Sequence, residues 1–146
     1  MSFAVDTNIL LRSIDDGHAA QPIVNDGLLT LRSQGETLSI FPQNLIEFWA
    51  VATRPIANNG LGWSVDRAKV ELENLKYLFV VLADTDVILT EWERLVVNHR
   101  VAGKQAHDAD LVAAMLVHGV THLLTFNTND FKRFNEITVV NPQNVT

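Results

Sequence analysis

The chain has 146 residues, 47% of them hydrophobic and 19% charged, so it can bury a substantial core and is not of the disordered class. It contains no cysteine, which excludes disulfides and thiolate metal sites. The net charge of −6 argues against a basic, nonspecific nucleic-acid binder, although a bound cation would invert the charge of an acidic pocket.

The N-terminus does not have the pattern of a signal peptide, because it has no basic start and Asp6 and Asn8 interrupt its apolar stretch. No apolar run approaches the ~20 residues needed to span a bilayer. We therefore expect a cytoplasmic protein without a membrane segment. One domain is expected over residues 1–146, with a loose tail from about Asn141.

The first predicted element is a short strand over residues 2–5, which is apolar enough to be buried on both faces. It ends directly at Asp6. In open parallel α/β sheets, ligands bind in the crevice at the carboxyl ends of the strands. Asp6 is therefore a carboxylate at the rim of a candidate site.

Strands and helices alternate along the rest of the chain. Further strands are predicted over residues 38–41, 78–82, 123–125 and 137–140. Helices are predicted over residues 8–12, 21–34, 42–53, 65–77, 108–118 and from a cap at Asp84 or Thr85 to Asn98 or His99, with a turn or short helix over 131–136. The alternation predicts an α/β fold with a mainly parallel sheet and right-handed crossovers.

Three further acids belong to the same pattern of strand ends and helix starts. Glu47 lies on the helix after the second strand, Asp108 begins a helix in His-Asp-Ala, and Asp130 follows the fourth strand. Asn127 is an alternative to Asp130, because either side chain can face the site. Several acids in one pocket repel one another unless a cation is bound, and Mg²⁺ or Mn²⁺ prefers oxygen ligands.

These motifs, taken in order, resemble a known family. Asp-Thr-Asn at 6–8, Glu47 on a helix, His-Asp-Ala at 107–109 and Leu-Thr-x-Asn-x-x-Asp-Phe at 124–131 are similar to the PIN domain, and in particular to VapC-type ribonuclease toxins. The resemblance runs from Phe3 to about Val140. It implies a three-layer α/β/α sandwich with the acids at the carboxyl edge of the sheet. It also implies a toxin held inactive by an antitoxin, as a homodimer.

The function we expect is a metal-dependent endoribonuclease in which metal-activated water cleaves an RNA phosphodiester. Asp6 and Asp108 are the leading metal ligands, and Glu47 and Asp130 complete the acidic pocket. Thr7 and Asn8 are expected to orient Asp6, and Thr125 to do the same or to contact substrate, with Asn127 assisting. A basic rim for the phosphate backbone has six candidates: Arg12, Arg54, Lys104, His107, Lys132 and Arg133.

Each acid also has a structural alternative when taken alone. Asp6 can form an Asx turn or a helix N-cap, and Asp108 can be an N-cap or a first-turn residue stabilised by the helix dipole. Glu47 can be a solvated surface residue, and Asp130 can simply close a turn. Asp110 lies two residues from Asp108, hence ~200° around a helix, so it should point away from the site into solvent.

Three other functional classes begin with similar features. A haloacid-dehalogenase-like phosphatase needs a second Asp where this chain has Asn8, and a receiver-type phospho-switch needs an acceptor Asp that Leu82-Ala83-Asp84 fits poorly. A non-catalytic PIN-like module that binds only RNA or a partner stays open, but it has no need of all four acids.

Overall fold

The computed structural model describes all 146 residues. Its strands are Ser2–Val5 (β1), Thr37–Ile40 (β2), Val80–Val81 (β3), His122–Leu124 (β4) and Thr138–Val140 (β5). Its helices are Thr7–Ser13 (α1), Gln21–Ser33 (α2), Pro42–Thr53 (α3), Val65–Leu78 (α4), Asp86–Asn98 (α5), Gln105–Val117 (α6) and Thr128–Phe131 (α7). Short 3₁₀ helices lie at Ile56–Asn58 and Pro142–Asn144. No helix is long and apolar enough to cross a membrane.

The five strands form one sheet in the order β3-β2-β1-β4-β5, and every pairing is parallel. The expected sheet was mainly parallel, and the structure shows it to be wholly so. Because the strands are parallel, the residues that follow β1, β2 and β4 meet at one edge. Asp6, Phe41 and Thr125 hold those positions, with β1 at the centre of the sheet.

Helices cover both faces of the sheet, which confirms the predicted α/β/α sandwich. Alternation along β1 sends Phe3 and Val5 into one core and Ala4 into the other. The first core is closed by α1 to α4, and the second by α5 to α7. All residues of β1 from Phe3 to Val5 are buried, as a central strand requires.

The third strand is shorter than predicted. Residues 78–82 were expected to form it, but α4 extends through Leu78 and only Val80–Val81 pairs with β2. The Leu78 carbonyl accepts a hydrogen bond from the Arg32 guanidinium at 3.0 Å, and the Phe79 ring lies 5.0 Å from that guanidinium. The Arg32 bond gives a carbonyl at the end of α4 its hydrogen-bond partner. Residue 78, which was expected to begin a strand, therefore belongs to the helix.

Helix α6 begins three residues earlier than predicted, at Gln105 rather than Asp108. The chain turns at Gly103, whose φ of +66° suits glycine, and the amide of Ala106 then donates to the Gly103 carbonyl at 3.1 Å. The indole of Trp92 on α5 donates to the Ala106 carbonyl at 2.8 Å. Asp108 is therefore not the cap but an acid in the first turn, which is the other form of its structural alternative and is favoured there by the helix dipole.

The C-terminal part agrees with the prediction in one element and differs in another. The turn or short helix expected over residues 131–136 is present as turns at 132–133 and 135–136, after α7 ends at Phe131. The tail is not loose: Pro142 is buried, and Val145 packs against the first core. The Gln34 amide on α2 also donates to the Thr146 carbonyl at 2.8 Å.

Candidate metal centre

Asp6 is both a helix cap and a site carboxylate. Its Oδ1 accepts the Thr7 backbone N–H at 2.8 Å, which caps α1, as the structural alternative predicted. Its Oδ2 accepts the Thr125 hydroxyl at 2.8 Å and the Asn8 amide at 3.4 Å. Burial nevertheless raises the pKa of Asp6, against the opposing effect of the Thr125 and Thr7 bonds, and the charges of Glu47 and Asp130 add to the increase.

Thr125 and Asn8 tie the ends of β1 and β4 together around Asp6. Thr125 is fully buried, and its hydroxyl oxygen accepts the Asn127 backbone N–H at 3.0 Å and the Asn8 amide at 3.3 Å. The side-chain oxygen of Asn8, Oδ1, accepts the Phe126 backbone N–H at 3.3 Å. The hydroxyl proton of Thr125 is thus left for Asp6. Both residues contact Asp6 as the sequence predicted.

Thr7 orients a different acid from the one expected. Its side chain was predicted to support Asp6, but its hydroxyl donates to Glu47 Oε2 at 2.9 Å, while only its backbone N–H serves Asp6. The same hydroxyl accepts the Asn44 amide at 3.2 Å. Asn44 is fully buried on α3 and was missed from the sequence, where an Asn in a first helical turn is an ordinary capping residue.

Asp108 stands opposite this hydrogen-bonded group and accepts no hydrogen bond from the chain. It is half-buried in the first turn of α6. Burial is the main cause that raises the pKa of Asp108 to about 6, and the charges of Asp130, Asp6 and Glu47 raise it further. The His107 charge opposes the shift. The titration of Asp108 therefore responds to all three of the other candidate acids.

The two candidates after β4 differ in their surroundings. Asp130 lies in α7 and is exposed, and its charge acts on both Asp6 and Asp108. Asn127 is exposed and precedes α7, and its side chain makes no capping bond. Its backbone N–H binds Thr125 instead. Of the pair, Asp130 has the clearer electrostatic connection to the other acids.

Asp110 is not solvated as the sequence predicted. It is half-buried and lines a groove of about 440 Å³ between α5 and α6, together with Asp84 and Trp92. Burial raises the pKa of Asp110, with a further contribution from the Asp84 charge. The charge of Glu47, one of the four candidate acids, also contributes to this shift, whereas Asp6 and Asp108 do not. The separation of Asp110 from Asp108 stays a prediction.

The donor set can be tested against a divalent cation. No group of three or more His, Asp or Glu side chains has the geometry of a preformed metal site. Mg²⁺ typically takes one or two carboxylates and keeps several waters, so it does not need such a cage. All candidate donors here are oxygens, and the mutual repulsion evident at Asp108 is what a cation relieves. The residues present therefore fit a hydrated Mg²⁺ or Mn²⁺ ion.

Comparison with known proteins gives one family match. The family model described as "PIN domain" matches residues 3–137, a range that includes all four candidate acids. No curated protein sequence matches the chain.

Several solved structures share the fold. VapBC2 from Rickettsia felis, bound to a DNA fragment from its promoter, has a TM-score of 0.75 at 15% identity, over 97% of this chain and 98% of that chain. VapBC-1 from nontypeable Haemophilus influenzae has a TM-score of 0.72 at 16% identity, over 97% and 98%. VapC20 from Mycobacterium tuberculosis, a toxin that cleaves the sarcin-ricin loop, has a TM-score of 0.60 at 19% identity, over 88% and 92%.

Proposed function

Because the chain belongs to the PIN domain family, we propose that it is a metal-dependent endoribonuclease. The observation that carries this function is that Thr7 bonds both Asp6 and Glu47 at the edge of the sheet, where the charges of Asp6, Glu47 and Asp130 also act on Asp108. A shared site for a cation gives these carboxylates a common role.

We assign the four acids different roles. Asp6 and Asp108 would hold the cation directly, and Glu47 and Asp130 would bind its waters. When bound, a cation of this kind lowers the pKa of a coordinated water and stabilises charge on the phosphate. In such a hydrolysis the oxygen of a water would bond to phosphorus, one P–O ester bond would break, and the leaving oxygen would take up a proton in place of the one that the water loses.

The residues around the acids would prepare this reaction. Thr125 and Thr7 hold Asp6 and Glu47 with their lone pairs already oriented, so less reorganisation is needed when substrate binds. Glu47 Oε1 makes no hydrogen bond within the chain, so it is free to accept one from the attacking water. The acidic surface needs local cations to hold RNA, and exposed Lys104 and Lys132 flank the centre in sequence.

The proposed partners are an antitoxin protein and a second copy of the chain. The support for the antitoxin is likeness of fold to VapBC2, to VapBC-1 and to a Klebsiella pneumoniae toxin–antitoxin complex, which has a TM-score of 0.63 at 20% identity. The second copy rests only on the resemblance of the motifs to VapC-type toxins. In this view the chain is the toxin, and association with the antitoxin holds it inactive.

Cleavage of a mixed RNA substrate by the purified chain tests the proposed function. We expect cleavage with Mg²⁺ or Mn²⁺, none in excess chelator, and recovery when the cation is restored. Asp6→Asn protein, purified identically, controls for contaminating ribonuclease. Undiminished cleavage in chelator would exclude the metal mechanism. Binding of RNA without cleavage under any cation would favour the non-catalytic alternative.

A further inference from the structure

Asn44 has an amide whose orientation is fixed by the backbone. Its side-chain Oδ1 accepts the Phe41 backbone N–H at 2.9 Å. A backbone N–H can only donate, so the oxygen of Asn44 must face Phe41 and the NH₂ group must face the other way. The NH₂ group there donates to the Thr7 hydroxyl at 3.2 Å. Because Asn44 is fully buried, water does not compete for these bonds.

The direction of donation continues through Thr7. A threonine hydroxyl has one proton and two lone pairs. Since Asn44 donates to one lone pair, the Thr7 proton is free for Glu47 Oε2, which lies 2.9 Å away. The bonds therefore run one way, from the Phe41 amide through Asn44 and Thr7 to Glu47. This arrangement leaves Glu47 Oε2 as the acceptor at the end of the series.

We propose that Asn44 is a positioning residue of the metal centre, which acts on Glu47 through the hydroxyl of Thr7. This role rests on the proposed function, because it matters only if Glu47 serves a cation or its waters. Asn44 and Glu47 lie one turn apart on α3, so the helix and the Thr7 contact fix the carboxylate from two sides. Oε2 is then occupied, and Oε1 is left for the centre.

A purely structural role for Asn44 makes a different prediction. As a cap, Asn44 needs only an acceptor for the Phe41 amide, and an aspartate supplies one with the same shape. Asn44→Asp therefore keeps the cap but replaces the NH₂ donor with an acceptor. The Thr7 proton would turn toward residue 44, and Glu47 would lose its donor. If Asn44 is only a cap, Asn44→Asp should leave Mn²⁺ affinity and RNA cleavage unchanged. If Asn44 acts on Glu47 through Thr7, both should fall strongly.

The charge added by Asn44→Asp would strengthen cation binding, whereas loss of the Glu47 donor would weaken it. More carboxylate charge near a cation site strengthens binding of the cation, so weaker binding cannot come from charge alone. Asn58→Asp, at an exposed position outside the centre, is a control for one added charge. Thr7→Val removes the hydroxyl that links Asn44 to Glu47 and adds no charge, and Thr7→Ser restores that hydroxyl.

The experiment measures Mn²⁺ affinity by titration calorimetry at pH 8, kcat and KM for RNA, and thermal unfolding of each protein. Asn44→Asp and Thr7→Val should weaken Mn²⁺ binding by ~10–100-fold, the usual effect of losing a residue that orients a ligand. They should lower kcat more than they change KM. Thr7→Ser should recover most of the affinity, and Asn58→Asp should match wild type.

Two outcomes would overturn the assignment, and they differ. If wild type binds Mn²⁺ and cleaves RNA, and Asn44→Asp and Thr7→Val do so equally well, Asn44 is only a cap. If wild type itself neither binds Mn²⁺ nor cleaves RNA, the proposed function fails and the role of Asn44 fails with it. Should Asn44→Asp unfold, Asn44→Ala takes its place, because it removes the NH₂ donor without added charge, and wild-type Mn²⁺ affinity of that variant would make Asn44 only a cap.

Discussion

The two sides of the acidic centre are held in different ways. Asp6 accepts hydrogen bonds from the Thr7 amide, Thr125 and Asn8, all close to the ends of β1 and β4. Asp108 accepts none, and only its place in the first turn of α6 positions it. The Asp6 side is thus oriented before any ligand binds, whereas the Asp108 side can adjust when a cation arrives.

The same difference appears in the charges. Burial raises the pKa of Asp6, but its hydrogen bonds work in the opposite direction and favour the carboxylate. Burial and the charges of three neighbouring acids all raise the pKa of Asp108, and only the His107 charge lowers it. A fixed carboxylate and an adjustable, repelled one suit a cation site that is ordered on one side and completed by binding.

The largest effect is expected from Asp6→Asn. An amide oxygen still caps α1, but the charge that holds the cation is lost, so RNA cleavage should fall by more than about 100-fold. The metal-free variant should melt within a few degrees of wild type, because relief of carboxylate repulsion is offset by an NH₂ group that faces the donors Thr125 and Asn8. Cleavage assays and thermal unfolding check this. Wild-type cleavage with earlier melting would make Asp6 a cap and nothing more.

Asp108→Asn should impair cleavage to a similar degree, but with a clearer gain in stability. The folded environment raises the pKa of Asp108 to about 6, so its ionised form destabilises the metal-free protein at neutral pH. Partial exposure screens the effect to roughly 1 kcal/mol, or about 2–4 °C in melting temperature. Unfolding in chelator measures this gain, and earlier melting than wild type would contradict it.

The pH dependence of that gain gives a second test. Between the ordinary value of 3.8 and about 6, folded Asp108 keeps a proton that the unfolded chain releases. The free energy of unfolding contributed by this group therefore falls as the pH rises through that window. The advantage of Asp108→Asn over wild type should be absent below about pH 4 and complete above about pH 7. A gain that is constant across this range would show that charge is not its cause.

The sequence predicted the Asp6 side better than the Asp108 side, for a physical reason. An apolar run that ends in an acid is visible within a few consecutive residues, so β1 and the cap at Asp6 could be predicted from that segment alone. The start of α6 depends on Trp92, which contacts Ala106 from another helix. The role of Asn44 depends on Thr7, which lies on α1. Contacts between distant segments leave no pattern in either segment alone.

Thr125→Val is expected to have a smaller effect, confined to the ordered side. Removal of the hydroxyl leaves the Asn127 backbone N–H without an acceptor, Asn8 with Asp6 as its remaining acceptor, and Asp6 without its Thr125 donor, so stability should fall by ~1–2 kcal/mol. Cleavage should fall by ~10–100-fold. Thr125→Ser should recover most of both. Equal activity of the valine and serine variants would mean that the hydroxyl does not orient Asp6.

The smallest effect is expected from Asp110→Asn. Asp110 lies in the groove beside Asp84, and its charge does not act on Asp6 or Asp108. Cleavage should stay within about twofold of wild type. Because burial raises the pKa of Asp110, loss of its charge should also slightly stabilise the protein at neutral pH. A loss of cleavage comparable with that of Asp108→Asn would place Asp110 in the centre.

The most direct test of the acidic centre is titration calorimetry of Mn²⁺ into metal-free protein. It compares wild type, Asp6→Asn and Asp110→Asn. Wild type and Asp110→Asn should bind Mn²⁺ with the same affinity, and Asp6→Asn should show no saturable binding in the same range. Equal binding by all three proteins, or none by wild type, would contradict a cation site built on Asp6.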